Sequence, residues 1–329
     1  MIAVVTGSSG FIGSRLVEAL LERGFTVRCL DTRPNHDVMA EEHRIETYTL
    51  DCTDLAALSE STILDGADYV FHLAGITKAL NLEAFRHRNV LPTENLLKLL
   101  AEGGHRLKRF LFMSSQAAAG PAPALNQPVT ESDKTEPIES YGQSKSEAET
   151  IVHESSSTIP CTILPSSSVY GPRDIDFLQI FKQIRHHVSF YPGYRHNYIS
   201  ILYLDDLIDG ILGAVQAKAS EGKTYFLCAD ESVTWQQIHN AIAQAMDKRV
   251  LEFNVPQFFV DFACRMGDAI MKLTGRYTVV NTRKADLSRS PYWICSAQRA
   301  KHDFGFKTRF SLLEGMRETY RWYTENGWL

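Results

Sequence analysis

Tyr141 and Lys145 stand four residues apart in the run Tyr141-Gly142-Gln143-Ser144-Lys145. On a helix, positions i and i+4 share a face. A phenol titrates near ~10 and is a poor base at neutral pH. A neighbouring ammonium favours the phenolate and lowers that value. Such a pair can move a proton to or from the oxygen of an alcohol or a carbonyl. Ser114 and Ser115 close an apolar run, with Ser115 26 residues before Tyr141. A serine hydroxyl at a strand end can hydrogen-bond the reacting oxygen and hold it against the phenol. A Tyr-x-x-x-Lys spacing alone is common on solvated helix faces, so its meaning depends on the elements around it.

One of those elements is the turn Thr6-Gly7-Ser8-Ser9-Gly10-Phe11-Ile12-Gly13, between an apparent strand and an apparent helix. A helix N-terminus offers unpaired N–H groups and the positive end of a dipole, which suits a diphosphate. Glycine is needed where backbone approaches phosphate and where helix packs on strand. The spacing Gly7-x-x-Gly10-x-x-Gly13 differs by one residue from the familiar GxGxxG. Asp31 follows Gly13 by 18 residues, at the end of the second apolar run. A carboxylate there accepts from ribose hydroxyls and repels a 2′-phosphate, which favours NAD. Arg33 could pair with that phosphate, so NADP stays open. In Leu50-Asp51-Cys52-Thr53-Asp54, Asp51 could meet an adenine amino group, or one of these acids could cap the next helix.

The periodicity predicts strands at Ile2–Thr6, Phe25–Leu30, Ile45–Leu50, Tyr69–Ala74, Arg109–Ser114 and Cys161–Leu164. Helices are predicted over 11–23, 53–64, 81–102 and 141–155, with Pro92 absorbed near a helix start or as a kink. Strands alternating with helices predict an α/β fold, a Rossmann-type doubly wound parallel sheet. The second half reads as helices over 174–187, 204–219, 234–247, 256–274 and 312–325, with one further strand at Lys223–Cys228. The stretch 117–140 reads as a long loop and 275–310 as irregular. The expected division is 1–164 with about 200–228 as the dinucleotide-binding domain, and about 165–199 with 229–329 as a smaller helical substrate lobe. The apolar run Phe258, Phe259, Phe262, Met266, Ile270, Met271 and Leu273 within Pro256–Gly275 reads as a packed amphipathic helix; a pocket wall or a peripheral membrane contact is the alternative.

These pieces, with Phe71-His72-Leu73-Ala74-Gly75, Asn89-Val90, Val169-Tyr170-Gly171-Pro172-Arg173 and Tyr203–Leu207, resemble the extended short-chain dehydrogenase/reductase family, the NAD-dependent epimerase/dehydratase group. They recur in family order from residue 2 to about 213. The resemblance implies an enzyme with Ser115, Tyr141 and Lys145 as its catalytic set. It places Gly7, Ser9, Gly10, Phe11, Ile12, Gly13, Asp31, Arg33, Asp51, Cys52, Leu73, Ala74, Gly75, Asn89, Ser114, Ser168 and Val169 beside the dinucleotide. Lys145 would also hydrogen-bond the nicotinamide ribose, and Ser168 and Val169 would flank the carboxamide. A homodimer pairing the 90s helix with the 141–155 helix is implied too. Looser likeness in Tyr292–Ser296 and Gly305-Phe306 points to the 3β-hydroxysteroid-dehydrogenase-like and dihydroflavonol-reductase-like branch. Departures stand at Ala118-Ala119-Gly120 for Val-Tyr-Gly, at Pro165 for arginine, at Ser168 for asparagine and at Tyr203 for histidine. They point away from a nucleotide sugar.

Composition narrows the partners. Hydrophobic residues make up 44% and charged residues 22%, which is globular rather than disordered. With 34 basic against 39 acidic residues the net charge is −5, so no nucleic-acid surface is expected. No apolar run reaches the ~18 residues of a membrane span, and no secretory leader is expected. Six scattered cysteines without a CxxC pair read as reduced core thiols of a cytoplasmic protein. Eleven histidines show no ligand spacing, so no metal is expected. The expected partner is a small, moderately apolar hydroxy or keto substrate. Arg173, Arg195 and Arg283 are candidates for holding a diphosphate instead. The readings that compete are a dehydrogenase/reductase, a nucleotide-sugar epimerase or dehydratase with tightly bound NAD, and a non-catalytic dinucleotide sensor.

Overall fold

A computed structural model describes residues 1–33, 43–104, 107–192, 196–274, 278 and 289–329. The first half runs β1 (Ile2–Thr6), α1 (Phe11–Glu22), β2 (Thr26–Asp31), β3 (Ile45–Thr49), α2 (Leu55–Glu60), β4 (Tyr69–His72), α3 (Leu82–Phe85), α4 (Leu91–Glu102), β5 (Arg109–Ser115), α5 (Ser140–Ser155) and β6 (Cys161–Ser166). The second half runs β7 (Ser168–Tyr170), α6 (Phe177–Arg185), β8 (Val188–Pro192), β9 (Tyr198–Ile199), β10 (Ile201–Tyr203), α7 (Leu204–Gln216), β11 (Lys223–Thr224), β12 (Val233–Thr234), α8 (Trp235–Ala245), β13 (Leu251–Val255), α9 (Gln257–Thr274), β14 (Tyr292–Trp293), α10 (Gln298–Phe304) and α11 (Leu312–Glu325).

Seven strands form one sheet in the order β11-β6-β5-β4-β1-β2-β3, and every pairing in it is parallel. Strand alternation explains the layering. In β1, Ala3 and Val5 enter one core and Val4 the other. In β5, Leu111 and Met113 face the first core, and Phe110 and Phe112 the second. Both faces are therefore covered by helices, as parallel sheets require. Each buried phenylalanine contributes roughly 1.5–3 kcal/mol. The strand order reverses between β1 and β4, and a crevice opens there at the carboxyl ends of the strands. A third core joins α6, α8 and α11 through Phe181, Ile238, Ile242, Met316 and Tyr323.

Several expectations change. Lys223–Cys228 is paired as a strand only at Lys223–Thr224, with Leu227 bridging to Ser166. The second half instead holds many strands of two to five residues, too short for alternation to show. Part of the 275–310 stretch is ordered as β14 and α10. Gly305, at φ 69°, ends α10 in the left-handed conformation, a stop signal present in the sequence. The 117–140 loop is tied down by backbone bonds from Ala122 to Tyr292 and from Val129 to Ile294. The helix α9 turns Phe258, Phe259 and Phe262 outward rather than into a core.

Pro92 is accommodated in an unexpected way. The chain from Arg86 to Val90 forms a π-turn between α3 and α4, with Pro92 as the second residue of α4. The missing N–H of Pro92 breaks the regular ladder there. Thr93 Oγ1 bonds the Asn89 carbonyl at 3.1 Å. Asn89 lies in the turn.

Helix α5 carries little apolar periodicity, and its buried face includes Ser144, Lys145 and Glu149. Glu139 caps it, its carboxylate accepting from the Tyr141 and Gly142 N–H groups at 2.7 and 2.6 Å. The helix reaches the turn Gln116–Ala118 so closely that a Cβ on Gly142 would lie 2.1 Å from the Ala117 carbonyl oxygen. Gly142→Ala should therefore cost about 1–3 kcal/mol of stability by overpacking. Urea denaturation checks this, and an unchanged midpoint would contradict the contact.

Candidate active site

The glycine turn fits a diphosphate. Gly7 has φ 68°, and its N–H bonds the Leu30 carbonyl at 2.9 Å. A Cβ on Gly13 would sit 2.0 Å from the Gly7 oxygen, so strand and helix touch through hydrogen. Gly10 precedes α1 in an extended conformation and provides no side-chain cap, and the first turn of α1 carries no acid. The positive helix end is thus left for an anion. Phe11 and Ile12 pack on the core beneath.

Asp31 ends β2 beside this turn. Its carboxylate accepts from the Ser9 N–H at 3.1 Å and the Arg33 N–H at 3.2 Å. Asp51 bonds Thr53 and pairs with Arg88 at 2.6 Å, while Asp54 caps α2 through the Ala57 N–H. The helix-capping role therefore belongs to Asp54. Cys52 is buried in the second core, and its backbone carbonyl accepts from Asn95 Nδ2 at 2.9 Å.

The loop after β4 is fixed by a buried network that periodicity does not reveal. His72 lies between Thr6 Oγ1 at 2.7 Å and Thr93 Oγ1 at 3.0 Å. Burial pushes its imidazole down to about 3, with the Lys145 charge adding to the effect, so it is neutral. Thr6 Oγ1 accepts from the Ala74 N–H at 3.1 Å. Asn89 then holds the next residues: its Oδ1 accepts from Ile76 N–H at 2.7 Å, and its Nδ2 donates to Ile76 O and Ser144 Oγ, both at 3.0 Å. A Cβ on Gly75 would stand 3.0 Å from Asn89 Oδ1 and 3.7 Å from Lys145 Nζ. Leu73 packs on the core, and Ala74 and Gly75 follow it along the crevice.

Ser114 and Ser115 point to opposite sides of β5, as strand neighbours do. The Ser115 side chain meets the Tyr141 hydroxyl and accepts from Ala117 N–H. Ser114 instead donates to Glu149. Lys145 Nζ donates to the Met113 carbonyl at 2.8 Å and stands 4.6 Å above the Phe112 ring. Glu149 continues the face, at i+4 from Lys145 and i+8 from Tyr141. It is a site residue that motif reading missed; the i+4 spacing was the available signal. Burial lowers the Lys145 ammonium to about 8 against the opposing pull of Glu149. Burial raises the Glu149 carboxyl to about 7, with Ser114 and Lys145 resisting.

The Tyr141 phenol is shifted upward by its surroundings. Burial raises its phenol to about 12; the Ser115 bond lowers it, and Glu139 raises it further. The neighbouring lysine alone does not yield a phenolate at neutral pH.

The family model of the NAD dependent epimerase/dehydratase family matches residues 3–228. The chain belongs to that family. A ceramide reductase of Caulobacter vibrioides (strain NA1000 / CB15N) is 24% identical, over 100% of this chain and 96% of the relative. A 3-beta-hydroxysteroid dehydrogenase of Mycolicibacterium neoaurum is 25% identical, over 98% and 91%. The crystal structure of a UDP-glucuronic acid 4-epimerase from Bacillus cereus, in complex with UDP-glucuronic acid and NAD, superposes with TM-score 0.80 at 21% identity, over 99% of this chain and 100% of that one.

Within the family frame, Val169 of β7 packs on the core and Ser168 is exposed beside it, two residues past the end of β6. Arg173 is engaged elsewhere: it pairs with Glu18 at 2.7 Å and bonds Ser14 at 3.3 Å, clamping α1. Arg195 and Arg283 lie outside the described residues. Tyr203 is buried against Phe310, with ring centroids 4.4 Å apart. All six cysteines are buried and unpaired by disulfide. Among the described residues, no helix is long and apolar enough to cross a membrane.

The sign of the Glu149 titration gives a test. Its folded-state value, raised to about 7, lies above the ordinary ~4.3 of a free glutamate. Between those values the folded state holds the extra proton, so this group's contribution to stability falls as pH rises through the window. Glu149→Gln removes that slope. Relative to the parent, the variant should gain stability from pH 5 to 7 in denaturant titrations. Parallel stability curves across that window would contradict the buried carboxyl.

Proposed function

We propose that this chain is an NAD-dependent oxidoreductase that transfers hydride at a secondary alcohol or ketone, with Ser115, Tyr141 and Lys145 as its acid–base set. The observation that carries the reading is the meeting of the Tyr141 hydroxyl and Ser115 side chain at the carboxyl end of β5, one helical turn from a buried ammonium. Gly7, Gly10 and Gly13 would hold the diphosphate, Asp31 the adenosine ribose, and Gly75 and Lys145 the nicotinamide end. NAD, when bound, accepts or returns the hydride, and its oxidised ring carries positive charge. Tyr141 moves the proton of the reacting oxygen, and Ser115 orients that oxygen. Lys145, braced by the Met113 carbonyl and Glu149, supplies the charge that favours the phenolate.

The substrate is a moderately apolar hydroxy or keto compound. Engagement of Arg173 with Glu18 and the apolar setting of Tyr203 support this over a sugar diphosphate. Similarity to proteins named ceramide reductase and 3-beta-hydroxysteroid dehydrogenase supports it too. Full-length likeness to a UDP-glucuronic acid 4-epimerase keeps a second reading, in which NAD is reduced and reoxidised within one turnover. Stoichiometric release of NADH distinguishes them, because an epimerase returns the cofactor oxidised.

Tyr141→Phe should leave dinucleotide binding intact and lower turnover by about 10²–10⁴. Near-normal turnover would overturn the mechanism. Asp31→Ala should relax the preference for NAD over NADP in binding titrations. Unchanged selectivity would remove Asp31 from that role.

A further inference from the structure

Helix α9 reverses the usual arrangement of a surface helix. It turns Cys264 and Gly267 inward and Phe258, Phe259, Phe262, Met266, Ile270 and Leu273 outward, each of the six between 46% and 87% exposed. At 3.6 residues per turn, these six, with Ala263 and Ala269, fill one unbroken apolar arc of about 140°. At about 200 Å² per ring, the three phenylalanines alone expose roughly 350–400 Å², the size at which a surface patch marks an interaction site.

The chain leading into α9 also exposes apolar side chains. Strands β8 and β13 pair in parallel and expose Phe190 and Phe253, whose rings stack with centroids 5.4 Å apart. At the start of this ribbon, His187 Nδ1 meets the Arg249 carbonyl at 2.8 Å. That contact gathers exposed Arg185, His186, His187 and Arg249 at one end. From Phe177 to Ser200 the sequence contains no Asp or Glu, in a chain whose net charge is −5. A basic cluster and an aromatic ribbon built from β8 and β13 thus lead into an apolar helix face.

We propose that this segment seats on the surface of an anionic lipid bilayer, with α9 lying in the interface and the basic cluster against the headgroups. Aromatic and aliphatic side chains along one exposed helix face, edged by the exposed Arg265, suit the headgroup–acyl boundary. Cations beside them suit anionic lipid, and that contribution is screened by salt.

Sedimentation with phosphatidylcholine vesicles, with and without phosphatidylglycerol, tests this on the full chain. The protein should pellet with phosphatidylglycerol vesicles, and less so as salt is raised. The combined variant Phe258→Ser, Phe262→Ser and Leu273→Ser should lose at least about tenfold in binding, with NAD binding retained as the check on folding. Should that variant misfold, Phe258→Ser alone should give a graded loss. Arg185→Glu with Arg249→Glu should remove the preference for phosphatidylglycerol. Protein remaining in the supernatant, or serine variants that bind as the parent does, would overturn the proposal. So would a parent oligomer, measured without lipid, that the serine variants convert to monomer, since the face would then be a contact between copies.

Discussion

A lysine ammonium buried between β5 and α5 is the constraint on which the site depends. A charge removed from water is destabilising by several kcal/mol unless partners replace its hydration. Here the replacements come from three directions: the Met113 carbonyl from the strand, the Phe112 ring beneath, and Glu149 one turn along the helix. The first two exist only if α5 lies in one rotation and one depth against the sheet, and the third is fixed by the helix itself. Gly142 permits that depth, and Glu139 fixes where the helix starts. The same placement brings Tyr141 to Ser115. Stability and chemistry therefore constrain the same few residues.

The opposite wall of the crevice is organised from the other side of α5. Asn89, in the π-turn, bonds both Ile76 and Ser144 and so ties the loop after β4 to the helix carrying the phenol. His72, kept neutral by burial, links Thr6 to Thr93 beneath that loop. The glycine turn after β1, the loop after β4 and helix α5 thus share one polar core, enclosed by apolar layers. A polar network of this kind specifies geometry more sharply than apolar packing does.

Much of this was legible in the sequence. Uncharged β-branched runs such as Ile2–Thr6 mark strands buried on both faces, and Gly7, Gly10 and Gly13 mark a close strand–helix contact. Tyr141, Lys145 and Ser115 stood out by spacing, and the structure brings Tyr141 and Ser115 together. What escaped has physical reasons. His72 acts through tertiary burial, which no local pattern reports, and the i+4 spacing of Glu149 gains meaning only once α5 is packed on β5. The strands of the second half are too short for alternation to accumulate. The π-turn follows from the interplay of Pro92 with its neighbours rather than from propensity. The apolar run of α9 was visible, but only the fold shows that it faces outward.

The decisive quantity is the ionisation of Tyr141. Burial holds its phenol at about 12, so the acid–base role proposed for it at neutral pH requires positive charge brought beside it. A pH titration by NMR of protein labelled with 13C at the tyrosine ζ carbon, assigned through Tyr141→Phe, reads this directly with and without oxidised NAD. The Tyr141 resonance should titrate near 12 in the free protein and substantially lower when NAD is bound. A value that stays unchanged on saturation with NAD would contradict the central claim.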